Sequence, residues 1–203
     1  MQKKFLTLCA AALLANAGLV QAQVGNGGAT YSDVTGKNQW AQLMPQFVDA
    51  TQNAFTSEAL LLTAVGLGDQ ATALTEQAKG LTRDSAPGQV EQIMTARTSA
   101  GTALAAKLAT PGLVLEGAAK QQLSEGIDGL VRTIKQYEEL SVDLPGMKVQ
   151  MRGAGAKART GLFVAKSLPG YVTDAKRELA AMVAYARANT IPVAPEAAAL
   201  IAP

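Results

Sequence analysis

The amino-acid sequence predicts an all-α protein, built as an elongated antiparallel bundle of about five helices behind a flexible N-terminal arm. Apolar residues recur at steps of three and four along several long segments, which is the spacing of amphipathic helices. No segment shows the sustained alternation of apolar and polar residues that is typical of strands. Only 4% of the residues are aromatic and alanine is abundant, a composition that favours closely packed helices.

Residues 1–22 have the three parts of a secretory signal peptide. Lys3 and Lys4 form a short positive segment, and an apolar run follows from Phe5 to Val20. Small residues then stand where a signal peptidase cleaves, at the end of Val20-Gln21-Ala22. The sequence therefore predicts an exported bacterial protein whose mature chain begins near Gln23. The alternative, an N-terminal membrane anchor, is disfavoured because the run is short for a bilayer.

Residues 23–37 are predicted to form the flexible arm. This segment is rich in Gly, Asn, Ser and Thr and has little apolar surface to bury. Tyr31 and Val34 are its candidate anchors, and the backbone of Ala29 to Thr35 can pair with the edge of another chain. The alternative interpretation is a spacer between the cleavage site and the folded domain.

Residues 38–190 are predicted to form the helical bundle. The first apolar stripe opens near Pro45 and the others follow along the chain. Their members are Phe47, Thr51, Phe55, Ala59 and Leu62; Val90, Ile93, Met94, Arg97, Gly101, Leu104 and Leu108; Leu115, Ala119, Leu123, Ile127, Leu130, Ile134 and Tyr137; and Tyr171, Ala175, Leu179, Met182 and Ala186.

Four Pro-Gly pairs are expected to end helices and form turns. Proline suits the second position of a turn, glycine supplies a positive φ at the third, and the residue before proline resists helical geometry. Short connections of this kind make consecutive helices antiparallel neighbours. Residues 191–203 form a Pro/Ala-rich C-terminal tail, expected to pack along the bundle or onto a partner. The pairs are Pro87-Gly88, Pro111-Gly112, Pro145-Gly146 and Pro169-Gly170.

The residue types that are missing exclude many kinds of active site. The chain has no histidine, and its single cysteine, Cys9, lies in the signal peptide. Histidine-dependent triads and dyads, ordinary zinc sites and a histidine-ligated haem are therefore excluded. We expect a non-enzymatic protein with no catalytic residues, no metal site and no cofactor.

The charges are distributed unevenly along the chain. Without Lys3 and Lys4, the mature chain has 16 basic and 16 acidic residues. Residues 23–147 have 8 basic and 13 acidic side chains, whereas residues 148–187 have 8 basic and 2 acidic ones. This bipolar pattern argues against nucleic-acid binding, and it suits head-to-tail assembly of acidic and basic regions.

The most apolar part of the mature chain runs from Ala59 to Gly68 and includes Leu60 and Leu61. A helix that is apolar all round is normally buried. The alternative is a face kept for another protein, a lipid or a bilayer. Gly66 and Gly68 weaken the helix there, and Asp69 is placed to cap a new one, so a kink is expected.

Four basic residues, Lys148, Arg152, Arg159 and Lys166, recur at steps of four and seven and define a basic stripe along one helical face. The stripe suggests an anionic partner such as lipid head groups, polysaccharide or an acidic protein patch. The alternative is internal pairing across the Pro145-Gly146 turn, with the acidic side chains on its other side.

Taken together, these features predict a structural or assembly subunit of the bacterial cell envelope. The protein would act in the periplasm or outside the cell, with protein partners that include further copies of itself. Two alternatives remain open from the sequence: a periplasmic carrier of a small apolar ligand or lipid, and a membrane-active α-helical protein. Whether the protein associates with a membrane is left open too.

Overall fold

A computed structural model describes residues 39–142 and 155–202 of the chain. This part contains six α-helices and no strand, which confirms the all-α bundle, with one helix more than the predicted number. The predicted signal peptide, the predicted arm and the predicted turn at Pro145-Gly146 lie outside the described residues. The helices are α1 (Gln39–Ala64), α2 (Gly68–Ala78), α3 (Pro87–Leu108), α4 (Ala118–Val142), α5 (Gly155–Ala188) and α6 (Pro195–Leu200).

The predicted apolar stripes form the core of the bundle. All seven members of the stripe on α3, from Val90 to Leu108, are buried. On α4, Leu123, Ile127 and Tyr137 of the stripe are fully inaccessible to solvent, whereas Ala119 at the start of the helix is only partly buried. The helical spacing in the sequence therefore identifies the buried face of each long helix.

The expected break after the apolar stretch is present. Gly66 has a φ of +81°, and the backbone N–H groups of Gly66 and Leu67 donate to Thr63 O (3.0 Å) and Leu62 O (2.8 Å). This pattern is the Schellman motif, which ends a helix and uses its free carbonyl groups. Helix α2 then begins at Gly68. Asp69 lies within the first turn of α2, and no side-chain hydrogen bond caps that helix.

Two prolines do not act as the sequence predicts. Pro45 lies inside α1 and Pro169 lies inside α5, so neither marks a helix boundary. Interior proline removes one helix hydrogen bond and costs about 3 kcal/mol. Pro169 and Gly170 are exposed, and the helix buries Leu168 before them and Ala175 after them. The continuous burial on the opposite side outweighs the local cost, and the helix continues.

The contacts between helices give their directions. Thr51 meets Tyr137, Ser57 meets Gly129 and Leu61 meets Gly126, so α1 and α4 are antiparallel. A Cβ at position 126 would lie 2.5 Å from Leu61 Cγ, and a Cβ at position 129 would overlap Ser57 Oγ. The two glycines therefore allow the backbones of α1 and α4 to approach closely.

The other long helices follow the same up-and-down scheme. Glu138 pairs with Lys176 at 2.7 Å, and Ser124 Oγ donates to Pro192 O at 3.1 Å, so α4 and the end of α5 run in opposite directions. Phe47 stacks with Tyr171 near the start of α1, and Glu58 lies beside Glu178 further along both helices. Helices α1 and α5 are therefore parallel, as the alternation of direction requires.

The C-terminal segment packs along the bundle. Ile191 and Ala197 are buried, and Lys135 on α4 pairs with Glu196 on α6 at 3.1 Å. The preceding turn holds Thr190 at a φ of +56°, a conformation that a β-branched residue rarely adopts. No helix within the described residues is both long enough and apolar enough to cross a membrane.

Candidate functional site

A buried group of charged side chains lies where α1, α3 and α5 meet. Arg97 Nη2 on α3 lies 2.6 Å from Glu58 Oε1 on α1 and 3.4 Å from Glu178 Oε2 on α5. Their side chains are 4%, 1% and 10% exposed, respectively. We refer to these three residues as the carboxylate–arginine cluster.

Helical periodicity places each member of the cluster at the interior. Glu58 falls between the buried residues Phe55 and Leu61 of α1, and Arg97 belongs to the apolar stripe of α3. Gly101, one turn after Arg97, makes room for the third member. A Cβ at position 101 would lie 3.1 Å from the carboxyl carbon of Glu178, closer than ordinary side-chain contact.

The two carboxyl groups compete for one counter-charge, and their pKa values rise. Burial raises the pKa of Glu58 well above its ordinary value of 4.5, Arg97 opposes this rise, and the neighbouring Glu178 adds to it. Burial also raises the pKa of Glu178, although Arg97 and a hydrogen bond with Glu58 act in the opposite direction.

Because two carboxyl groups with raised pKa values face one guanidinium, the cluster favours a state in which the pair of carboxyl groups keeps one proton. The cluster then holds one cation and one anion, with no net buried charge.

Neighbouring groups extend the polar interior towards α4. Burial is the largest single influence on Arg97 and lowers its pKa, but the combined attraction of Glu58, Tyr137 and Glu178 outweighs it and raises that pKa, so the guanidinium stays charged. Burial raises the pKa of Tyr137 to about 12, and its hydroxyl bonds Thr51 Oγ1 at 2.8 Å. Tyr137 therefore acts as a neutral hydrogen-bonding group.

The cluster lies beside a surface cleft between α3 and α5, which we call the α3–α5 cleft. The cleft has a volume of about 280 Å³, and both Arg97 and Glu178 line it. Glu178, whose side chain is 10% exposed, therefore borders the cleft, whereas Glu58 does not.

Two further clefts lie elsewhere on the described surface. One of about 410 Å³ lies between α1 and α4 and is lined mostly by hydroxyl, amide and charged side chains, with Leu60 as its apolar residue. The other, of about 480 Å³, lies between α2 and α3 and is lined by glutamines with Ile93. Polar side chains outnumber apolar ones around both clefts, although apolar atoms make up more of each wall than polar atoms do.

The structure separates the candidate interaction residues. Leu60 is half-buried in the wall of the α1–α4 cleft, whereas Leu61 is fully buried against Gly126. Arg159 and Lys166 are exposed on α5 and form no ion pair with any described residue. The remaining candidates lie outside the described residues: Tyr31, Val34, Lys148 and Arg152.

The geometry of the cluster suits proton storage and helix pairing better than catalysis. A pair of catalytic carboxylates that cleaves a glycosidic bond stands about 5–9.5 Å apart with the substrate between them. Here Glu58 and Glu178 both lie against the same guanidinium, 2.6 Å and 3.4 Å from Arg97 Nη2, and Glu58 is 1% exposed. Among the described residues, no group of three or more His, Cys, Asp or Glu side chains is arranged to hold a metal ion.

Sequence reasoning did not identify the cluster, although one signal was present. Arg97 interrupts an otherwise apolar stripe, and a charged residue at a buried helical position requires a partner of opposite charge. The periodicity of α1 places Glu58 inward in the same way. The sequence could not show that Glu178, 81 residues from Arg97, is the third member.

Comparison with known proteins gives no relative from which a function can be inferred. No protein-family model matches the chain, and neither a curated protein nor a solved structure shows significant similarity to it. Functional inference therefore depends on the residues and their geometry.

Proposed function

We propose that this chain is an exported, non-enzymatic subunit of the bacterial cell envelope that binds other protein subunits through charged surfaces. The observation that carries the proposal is the pair Arg159 and Lys166 on α5. Seven residues separate them, which is about two helical turns, so both project from the same side of the helix. They extend the predicted basic stripe into the described part of the protein.

Arg132 and Arg187 are also exposed without an ion pair in the described part of the protein, so what distinguishes Arg159 and Lys166 is that they share one side of α5. Lys135 and Lys176 are engaged with Glu196 and Glu138 on neighbouring helices. Arg159 and Lys166 are exposed and have no such partner among the described residues. A free basic surface attracts an acidic partner and aligns it, and another copy of this chain offers one in its acidic residues 23–147.

The packing of the bundle supports this proposal over the two alternatives. A carrier of an apolar ligand needs a cleft lined mainly by apolar side chains, whereas polar and charged side chains outnumber apolar ones in each of the three clefts described above. A membrane-active protein would have to expose Leu61, Leu62 and Val65, which are buried in the core. Exposing them would require the bundle to open.

The proposed location is tested first. The predicted signal peptide places the mature protein in the periplasm or outside the cell. N-terminal sequencing of the protein from its native source should begin at or close to Gln23. Recovery of a cytosolic protein that still begins at Met1 would refute both the location and the envelope role.

The partner surface is tested by charge reversal. Replacing both Arg159 and Lys166 with Glu should weaken capture of the protein's envelope partners, or of further copies of the chain, at least about tenfold. A double reversal of Arg83 and Arg187, which are also exposed, is the control for the same change in net charge. Native cross-linking with mass spectrometry identifies the partners, and light scattering measures self-assembly. Equal loss in both double variants would contradict the proposal.

The arm is tested separately. If Tyr31 and Val34 anchor it to a neighbouring chain, deletion of residues 23–37 should abolish higher-order assembly and leave the helical melting transition nearly unchanged. Full-length and shortened proteins that are the same monomer at high concentration would show that the arm is a spacer.

A further inference from the structure

The α3–α5 cleft contains buried polar atoms that lack hydrogen-bond partners. Arg97 Nε is an unpaired donor and Glu178 Oε1 is an unpaired acceptor, and both residues line the cleft. Both side chains are at least nine-tenths buried. Glu178 Oε2 accepts a hydrogen bond from Arg97 Nη2 at 3.4 Å, and the carboxylate keeps unused acceptor capacity because each of its oxygens can accept two hydrogen bonds. Buried polar atoms of this kind bind a ligand that completes their hydrogen bonds.

The rim of the cleft adds further acceptors. Thr98 and Thr102 donate their hydroxyl hydrogens to Met94 O at 3.1 Å and to Thr98 O at 2.9 Å. Because these hydroxyl hydrogens are used within the helix, the hydroxyl oxygens of the two cleft-lining threonines keep capacity to accept hydrogen bonds. Asp174 and Arg177 complete the rim as an ion pair of 2.8 Å.

The charges of the lining select a neutral ligand. Arg97 and Arg177 are balanced by Asp174 and Glu178, so the cleft has no net charge among its lining side chains. An ammonium group can donate to Glu178 but cannot accept from Arg97. A carboxylate can accept from Arg97 but would meet Glu178 as a like charge. A hydroxyl group both donates and accepts, and adjacent hydroxyl groups can serve both atoms at once.

We propose that the α3–α5 cleft binds a small polyhydroxylated ligand, a sugar or another polyol. Its hydroxyl groups donate to Glu178 and to the threonine oxygens and accept from Arg97. The volume of about 280 Å³ suits a ligand of monosaccharide size, near the lower end of small-molecule sites. Ala105 and Ala181 supply the apolar wall against which the C–H groups of such a ligand can pack. The proposal does not depend on the proposed assembly role.

The experiment uses the mature protein with ¹³C-labelled alanine methyl groups. D-glucose, D-galactose, D-mannose and myo-inositol are titrated to about 100 mM, above the millimolar range of weak ligands. Ethylammonium chloride and acetamide are titrated as a cationic and an amide probe. At least one polyol should shift the methyl signals of Ala105 and Ala181 saturably, and neither other probe should match it.

Two variants locate the site without disturbing the core. Thr102→Phe fills the cleft from an exposed position and should raise the apparent Kd at least about tenfold. Thr72→Phe is the matched control, since Thr72 is also an exposed threonine whose hydroxyl donates to the carbonyl four residues earlier. It should leave the titration unchanged.

Several outcomes would overturn the proposal. One is that no polyol shifts either signal. Another is that Thr102→Phe and Thr72→Phe affect the titration equally. If ethylammonium or acetamide binds more tightly than every polyol, the cleft recognises a different chemistry and the proposal is wrong.

Discussion

The carboxylate–arginine cluster makes the stability of the protein depend on pH, and Glu58→Gln tests this directly. Glutamine has the shape of a protonated glutamic acid, and its NH₂ group can still donate to the Glu178 carboxylate. It has no proton to lose. The substitution therefore removes the titration of Glu58 and keeps a side chain of the same shape that can donate a hydrogen bond.

The sign and size of the effect follow from the raised pKa. Above about pH 4.5, Glu58 in the unfolded chain releases its proton, whereas the folded protein keeps it. The folded state then binds more protons than the unfolded state, so the free energy of unfolding falls as the pH rises. For one proton the slope approaches about 1.4 kcal/mol per pH unit and persists until Glu58 titrates in the folded state. Below pH 4.5 this stabilisation is complete.

The measurement is urea unfolding, monitored by circular dichroism, at several pH values between about pH 5 and pH 8. This whole range lies above the ordinary glutamate pKa, so Glu58 is ionised in the unfolded chain throughout. The free energy of unfolding of the wild-type protein should fall as the pH rises. For Glu58→Gln it should fall less steeply, with a slope that is smaller by up to about 1.4 kcal/mol per pH unit. The curves should cross so that the variant is the more stable protein at the alkaline end. Glu139→Gln, at an exposed glutamate of α4, should leave the wild-type slope unchanged. Parallel curves for wild type and Glu58→Gln would refute the protonated cluster.

Three other substitutions test single contacts, each by chemical or thermal unfolding. Arg97→Met leaves two buried carboxyl groups without their cation and should destabilise the protein by about 3–5 kcal/mol. The control is Arg177→Met, which removes an exposed ion pair with Asp174 and should change stability by less than about 1 kcal/mol. Gly129→Ala places a methyl group against Ser57 and should destabilise the protein by about 1–3 kcal/mol. Adding Ser57→Ala to this variant should restore part of the lost stability. If it restores none, the clash does not involve the Ser57 hydroxyl. Thr190 has a φ of +56°, which glycine adopts without strain. Thr190→Gly should therefore stabilise the protein by up to about 1 kcal/mol, which corresponds to a Tm rise of about 2–4 °C. An unchanged or lower Tm would show that the backbone at residue 190 is not strained.

The part of the fold that depends on periodicity was predictable from the sequence. Every member of the α3 stripe is buried, because a straight helix presents one face to the core and the apolar residues record which face that is. The Pro111-Gly112 pair falls in the α3–α4 connection with Gly112 at a φ of +79°, as its turn chemistry predicts. Local rules succeeded where local interactions decide the structure.

The helix boundaries at Pro45 and Pro169 were not predictable from the same rules. A local preference of about 3 kcal/mol argues for a break, and only the tertiary packing on both sides of each proline reverses it. Leu43 and Phe47, on either side of Pro45, are fully buried. A single sequence contains the local preference but not the packing that overrides it.

The candidate site was hidden for a related reason. The stripe pattern showed that Arg97 is buried, but its partners lie 39 and 81 residues away on other helices, and periodicity does not pair residues across helices. The interaction residues proposed from composition also fall on different surfaces. Leu61 is buried in the core, while Arg159 and Lys166 are exposed on α5.

The carboxylate–arginine cluster also bears on the register in which α1, α3 and α5 pack against one another. Small apolar residues such as alanine tolerate sliding between helices, whereas a shift of one residue moves a helix by about 1.5 Å and turns its contact face by about 100°. Such a shift would separate Arg97 from both carboxyl groups. We infer that the cluster fixes the register of α1, α3 and α5.

A variant that combines Glu58→Leu, Arg97→Met and Glu178→Leu should be at least as stable to urea as the wild-type protein, because apolar side chains can replace a buried ionic triad without loss of stability. Its methyl NMR spectrum should nevertheless show several sets of signals. One sharp set, as in the wild-type protein, would show that apolar packing alone defines the register.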